Sequence, residues 1–273
     1  AGKSAEEARL FSRMRPPECA PEEFRKLLST TTGIAHTGLL NQASERLEGL
    51  TKLGARNSAA NLSMGNSKAS TLHSLVLGEV EVRNNAARSL GLSVERLDRN
   101  DPNVAGPEHL QLQQGMLKLI SEAVDRSPEI KQSKTRYDKA VANFEQRGNW
   151  VALSAGNDGR TADKLAEKAH GRRLALPADF EDNILSNSQV TSVGALDGAK
   201  VAEYSSRDRE VDVYAEGKTV AGAEGTSVAS PRVAATMARL HRQNPKMNSA
   251  QVEQLMKQKL SSPLLDAGNH PQA

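Results

Sequence analysis

The stretch 223-AEGTSVASPRVAATMARL-240 joins a hydroxyl-rich turn, Gly225-Thr226-Ser227, to a run of small apolar residues with a proline inside it. Ala229, Val233, Ala234, Met237, Ala238 and Leu240 leave little polar surface on a helix, so the spacing predicts a buried one that approaches a sheet closely. Pro231 has no backbone N–H and is tolerated only near a helix start, which sets the first turn at about Ser227. A serine there stands where unpaired N–H groups and the positive end of the helix dipole converge. That position suits a developing oxyanion, and it equally suits a plain helix cap. The stretch alone leaves both readings open.

Working outward, 58-SAANLSMG-65 reads as a short buried strand ending in glycine, and 150-WVALSA-155 as a second one closed by the sharp turn 156-GNDG-159. The runs 189-QVTSVGA-195 and 211-VDVYAEG-217 are further strand candidates. Leu39, Leu40, Ala43, Leu47 and Leu50 mark one face of a helix over 39–53. Tyr137, Ala140, Val141 and Phe144 mark another, ending at Gly148, and Val252, Leu255, Met256 and Leu260 a third in the tail. Helices alternating with short buried strands predict an α/β fold with a parallel sheet flanked by helices.

Two segments have a different texture. Residues 1–38 read as a helical N-terminal segment, two short helices over 4–30 broken at Arg15-Pro16-Pro17, with His36 in a following loop. Residues 71–135 carry helical periods, in 72-LHSLVLGEVEV-82 and 107-PEHLQLQQGMLKLISEAV-124, around the turn-rich break 99-RNDPNVAGP-107. His73 and His109, inside this region, read as ordinary exposed or cap-adjacent histidines.

Composition narrows the classes of function. The 273 residues are enough to bury a real core, and the net charge of +3 from 36 basic and 33 acidic side chains is too slight to point to nucleic acid. Aromatics at 3% offer few platforms for stacking bases. No apolar run approaches a membrane span, and the start AGKSAEEARLF has no signal-peptide pattern. Cys19, alone, excludes an internal disulfide and a cysteine-built zinc site; it fits a reducing compartment and leaves the localisation undetermined. No cofactor and no metal site is expected.

Five ordered segments between about residue 39 and the end carry a resemblance to the subtilisin-like serine peptidases, the subtilases. Gly225-Thr226-Ser227-Val228-Ala229-Ser230-Pro231 resembles the family's nucleophile motif. The stretch 151-VALSAGNDG-159 looks like the strand and turn that carry its oxyanion asparagine, and 61-NLSMG-65 like the strand end against which a peptide substrate lies. The passage 190-VTSVGALDGAKVAEYSSRDREVDVYAEG-217 and the tail 245-PKMNSAQVEQLM-256 match what precedes and follows the nucleophile. The resemblance implies a partial subtilase-like domain over 39–273 interrupted by a helical insertion at about 71–135.

By that resemblance Ser227 is the nucleophile of a peptide-bond hydrolase, and the Asn157 side-chain amide with the Ser227 N–H stabilises the oxyanion. Ser63, Met64 and Gly65 would pair with the residues of a peptide or protein substrate before the cut. Ser154, Ala155 and Gly156 would line the opposite wall of the first specificity pocket, and their small size implies large apolar side chains there. Glu216 stands where the family has proline.

A serine hydroxyl needs a base, and the base an orienting carboxylate. The family's Asp and His motifs, both upstream of the NLSMG-type strand, are not found. His36 in 33-GIAHTG-38 lies too close to Asn61 to leave room for the elements between them. The first strands of the sheet are missing with them, so the fold is expected to be incomplete on its N-terminal side, and the Ala1 start favours a truncated piece over a degenerate relative. Two function classes therefore stand. One is a serine endopeptidase, inactive as this chain alone and completed by an upstream segment or a second chain. The other is a catalytically dead subtilase fold that binds through its helical insertion.

Overall fold

The computed structural model describes residues 4–15, 19–74, 79–98, 107–166, 176–207 and 211–265. In chain order they form α1 (Ala5–Arg13), α2 (Pro21–Lys52), β1 (Ala59–Leu62), α3 (Lys68–Leu72), α4 (Val80–Ser89), α5 (Val94–Asp98), α6 (Pro107–Arg126) and α7 (Pro128–Glu145). There follow β2 (Trp150–Ser154), α8 (Gly159–Ala166), β3 (Thr191–Asp197), β4 (Lys200–Val201), β5 (Val213–Glu216), α9 (Thr226–Gln243) and α10 (Ser249–Leu265).

The four expected strands are present as β1, β2, β3 and β5, all parallel: β1 pairs with β2, β2 with β3, and β3 with β5. The two-residue β4 folds back antiparallel on the end of β3 through the turn at Gly198, whose φ of 63° suits glycine. Both faces of the sheet are covered, which is why β2 is buried along its whole length and β3 over its first five residues, while β1 and β5 alternate. On one face Trp150, Ala152, Val193, Ala195 and Val213 pack under Ala229, Val233 and Met237 of α9 and Val252 and Met256 of α10. On the other, Ala60, Leu62, Val151 and Leu153 meet Leu40 and Leu47 of α2 and Tyr137, Val141 and Phe144 of α7.

A third core is all-helical. Phe11, Met14, Phe24 and Leu28 pack with Leu72, Val82, Leu112, Met116 and Ile120, so the first half of α2 and the expected helical insertion share one interior. This corrects the reading of the N-terminal region. Instead of two short helices and a loop, α1 is followed by α2, which runs unbroken through Gly33, Gly38 and the boundary expected at residue 38. Pro21 begins it at the first turn, where a missing N–H costs nothing. Thr30 and Thr37 return their hydroxyls to the carbonyls of Lys26 and Gly33, at 2.9 and 2.8 Å, whereas the buried hydroxyls of Thr31 and Thr32 have no hydrogen-bond partner among the described residues. Contacts with α6 and α7 along its length outweigh the weak propensity of its glycines and threonines. The expected break at Pro16-Pro17 lies outside the described residues.

β1 is an edge strand among the described residues, with β2 as its neighbour. Trp150 N–H donates to the Ser58 carbonyl at 2.9 Å. In a parallel ladder alternate residues then face β2, so the N–H and C=O groups of Ala59, Asn61 and Ser63 point away from it. Among the described residues the sheet is open on the side where the sequence reading expects strands to be missing.

Candidate functional site

α9 begins at Thr226, within one residue of its expected start, and Pro231 is therefore its sixth residue. A proline there cannot donate to the carbonyl four residues back, which is that of Ser227. Ser63, at the end of β1, takes over: its Oγ donates to the Ser227 carbonyl at 3.1 Å. Asn61 Nδ2 donates to Ser63 Oγ at 2.8 Å, and the Asn61 carbonyl side-chain oxygen accepts from Ser230. The turn bearing Ser227 is tied to the strand end by these links.

Gly225 precedes the helix with φ 151°, and its N–H donates to the Gly217 carbonyl at 2.9 Å. A Cβ at this position would lie 3.0 Å from Ser227 Oγ and 3.3 Å from Asn157 Nδ2. The serine and the asparagine paired by the sequence reading thus flank one point, and only glycine leaves that point free. Asn157 is oriented by Thr226, whose N–H and hydroxyl both donate to Asn157 Oδ1, at 2.9 and 3.1 Å. With the oxygen consumed, Nδ2 is the end of the amide turned toward the Gly225–Ser227 corner. The Thr226 hydroxyl also accepts from the Gly156 N–H at 3.2 Å, fastening the β2 turn to the helix start. Ser227 and Asn157 are both exposed.

Beside them opens a cleft of about 290 Å³. One wall is Ser63, Met64 and Gly65, and the other is Ser154, Ala155, Gly156 and Asn157, so every residue expected at the site borders the same space as Ser227. Asn183 joins the walls from below. Its Nδ2 donates to the Met64 carbonyl at 3.0 Å and to the Ser154 carbonyl at 2.8 Å, while its Oδ1 accepts from the Leu185 N–H at 3.1 Å. Gly65 admits this side chain, since a Cβ there would overlap it. The rest of the lining is polar: Asn66, Ser67, Ser70 and Asp158. Small walls do leave room, but the interior is not the apolar pocket that their size suggested.

Asp158 Oδ2 accepts from Ser67 Oγ at 2.6 Å. Burial raises its pKa, opposed by that hydrogen bond and by His73. Glu181 is also raised, first by burial and further by the charges of Asp158 and Asp163, against the pull of Arg207.

No histidine lines this cleft among the described residues. His36, expected in a loop, sits on α2, is 1% exposed, and shares its Nδ1 with the Thr32 carbonyl at 2.8 Å. Burial lowers its pKa, with Lys68 adding to the effect and Thr32 opposing it. His109, expected to be exposed or adjacent to a helix cap, stands in the first turn of α6 but is buried, and neither ring nitrogen has a hydrogen-bond partner among the described residues. His73 lies just past α3, 3.4 Å from Thr161 Oγ1, and His241 packs against Trp150. His170 and His270 lie outside the described residues. No group of three or more His, Cys, Asp or Glu side chains could hold a metal ion, and no helix is long and apolar enough to cross a membrane, among the described residues.

Sequence reasoning missed Asn183, Asp158 and the orienting role of Thr226. Asp158 is flagged only by following Asn157 directly in 156-GNDG-159, and Asn183 stands in a polar stretch with no period to mark it.

Comparison with solved structures finds similarity to a cold adapted subtilisin-like serine proteinase, at 23% identity and TM-score 0.33, over 45% of this chain and 43% of that one. The nisin leader peptidase NisP from Lactococcus lactis is similar at 18% identity and TM-score 0.35, over 45% of each chain. Sphericase is similar at 15% identity and TM-score 0.39, over 87% of this chain and 56% of its own. The matched part is thus about half the length of these proteins. Comparison with curated proteins gave no match. The model of the Subtilase family matches residues 39–270, from the middle of α2 through the Ser227 turn and α10. The chain belongs to the subtilase family.

Proposed function

We propose that this chain is the nucleophile-bearing side of a subtilisin-like serine endopeptidase, which hydrolyses peptide bonds through an acyl-enzyme on Ser227. The observation that carries the reading is the shared position of Ser227 Oγ and Asn157 Nδ2, 3.0 and 3.3 Å from one point above Gly225. Ser227 attacks the scissile carbonyl, and Asn157 Nδ2 with the Ser227 N–H stabilises the oxyanion. Such a donor contributes about 3–4 kcal/mol to transition-state stabilisation. Ser63, Met64 and Gly65 pair their backbone with the substrate strand, and Ser154, Ala155 and Gly156 form the facing wall. The base and its carboxylate come from an upstream segment or a second chain that pairs with the open edge of β1, and the chain alone is inactive.

A second reading, a catalytically dead fold that binds through its helices, is favoured by one observation: no histidine borders the cleft among the described residues. The chain isolated from its cells with whatever copurifies separates the two. Ser227-dependent cutting of a quenched peptide library supports the peptidase. Equal cutting by Ser227→Ala, or none by the wild type, supports the scaffold.

A further inference from the structure

We propose that the cleft beside Ser227 receives a cationic side chain, lysine or arginine, on the substrate residue before the cut, with the Asp158 carboxylate as its counter-charge. This rests on the peptidase reading above and names the substrate class of that same site.

Asp158 is the charged residue of the lining; every other described residue of the cleft is neutral. It is only partly buried, and Ser67 Oγ occupies Oδ2 alone. Among the described residues no donor reaches Oδ1 and no cation pairs with the carboxylate, so one oxygen is left for an incoming donor. The cations next in sequence to the hydrogen-bond partners of Asp158, Lys68 after Ser67 and Arg207 after Ser206, are already committed. Lys68 is held by Asp125 at 3.0 Å and Asp179 at 2.7 Å, and Arg207 by Asp163 at 2.5 Å and the Glu203 carbonyl at 3.1 Å.

Several other polar groups of the cleft are turned to one another. Asn66 Oδ1 accepts from the Ser67 N–H and from Ser70, and the carbonyls of Met64 and Ser154 are taken by Asn183. They shape the space without offering a second charge. An apolar side chain pushed into this cleft strips water from Asp158 and returns nothing, whereas an ammonium or guanidinium replaces that water with a charge-assisted hydrogen bond. His73 and Glu181 also face Asp158 electrostatically, from the end of α3 and from the 176–190 segment. Glu181 adds negative potential at the carboxylate, which favours a cation further.

Benzamidine and its neutral isostere benzamide test this on the whole chain, because binding needs no active base. Saturation-transfer NMR and calorimetry should find benzamidine bound at least about tenfold more tightly, with the preference lost in Asp158→Asn. Thermal unfolding checks that the variant is folded. A pH series on the wild type needs no variant: benzamidine stays cationic, so its binding should fade as pH falls through the raised Asp158 pKa. Equal affinities, no binding by either compound, or a preference that survives in Asp158→Asn would overturn the proposal. Failure of the peptidase reading is seen separately, as absence of a Ser227 adduct with a fluorophosphonate even when imidazole supplies the base. Cation preference without an adduct would retire the nucleophile and leave the pocket's charge selection standing.

Discussion

Ser63 Oγ donates to the Ser227 carbonyl oxygen over 3.1 Å, in the place where Pro231 withholds the N–H that a helix would otherwise supply. A residue at the end of an edge strand thus completes the first turn of the helix that bears the candidate nucleophile. The proline that looks like a flaw in α9 creates the acceptor that fixes α9 to β1.

Ser63→Ala should cost about 0.5–1 kcal/mol in urea unfolding, at the low end because Ser63 is exposed and water can replace it. In a Pro231→Ala background the backbone N–H returns and the same change should cost nothing measurable. A double-mutant cycle with no coupling would contradict the role given to Ser63.

Asn183 is 4% exposed and ties Met64 to Ser154 through one nitrogen. Asn183→Asp removes both donors and sets a carboxylate against two carbonyls, so a loss of about 2–4 kcal/mol is expected by thermal or urea unfolding. Unchanged stability would mean that the walls do not depend on this clamp.

Asn157→Ala should cost about 1–2 kcal/mol of stability, since the buried Thr226 loses the acceptor of its N–H and hydroxyl, and should slow acylation of Ser227 in the completed site by about 100- to 1,000-fold. Asn157→Asp keeps the acceptor for Thr226 but puts an oxygen where the donor was, and should be at least as slow. Rates of phosphonylation measured by mass spectrometry compare the two.

Burial, helped by the charge of Glu253, raises the pKa of Glu145 on α7 to about 7. The unfolded carboxyl ionises near 4.5, so the folded state alone keeps the proton between those values. Folding takes up a proton in that window, and stability falls as pH rises through it. Glu145→Gln should flatten this decline and be the more stable form at pH 8. Parallel denaturation series of the two proteins would show it.

Much of the sheet was legible because its strands are short apolar runs closed by turn residues: 58–65, 150–155, 189–195 and 211–217 each contain an observed strand. The buried face of α9 was legible from Ala229, Val233 and Met237 for the same reason, a period matched to one environment. α2 was not. Its threonines and glycines argue locally for a loop, and the packing of α6 and α7 that overrules them is non-local. At the site, Ser227 and Asn157 stood out by motif. Asn183 acts from a segment with no pattern, through a contact with Gly65 more than a hundred residues earlier, and nothing short of the fold reveals it.

The most direct test of the central claim is fluorophosphonate labelling of the 273-residue chain, read by intact mass, with and without added imidazole and beside Ser227→Ala. A nucleophile seat lacking its base should be silent in buffer and gain one adduct on Ser227 when imidazole supplies the missing base. Rapid Ser227 labelling without imidazole would place a working base within the chain. No adduct under either condition, or the same adduct in Ser227→Ala, would contradict the assignment of Ser227 itself.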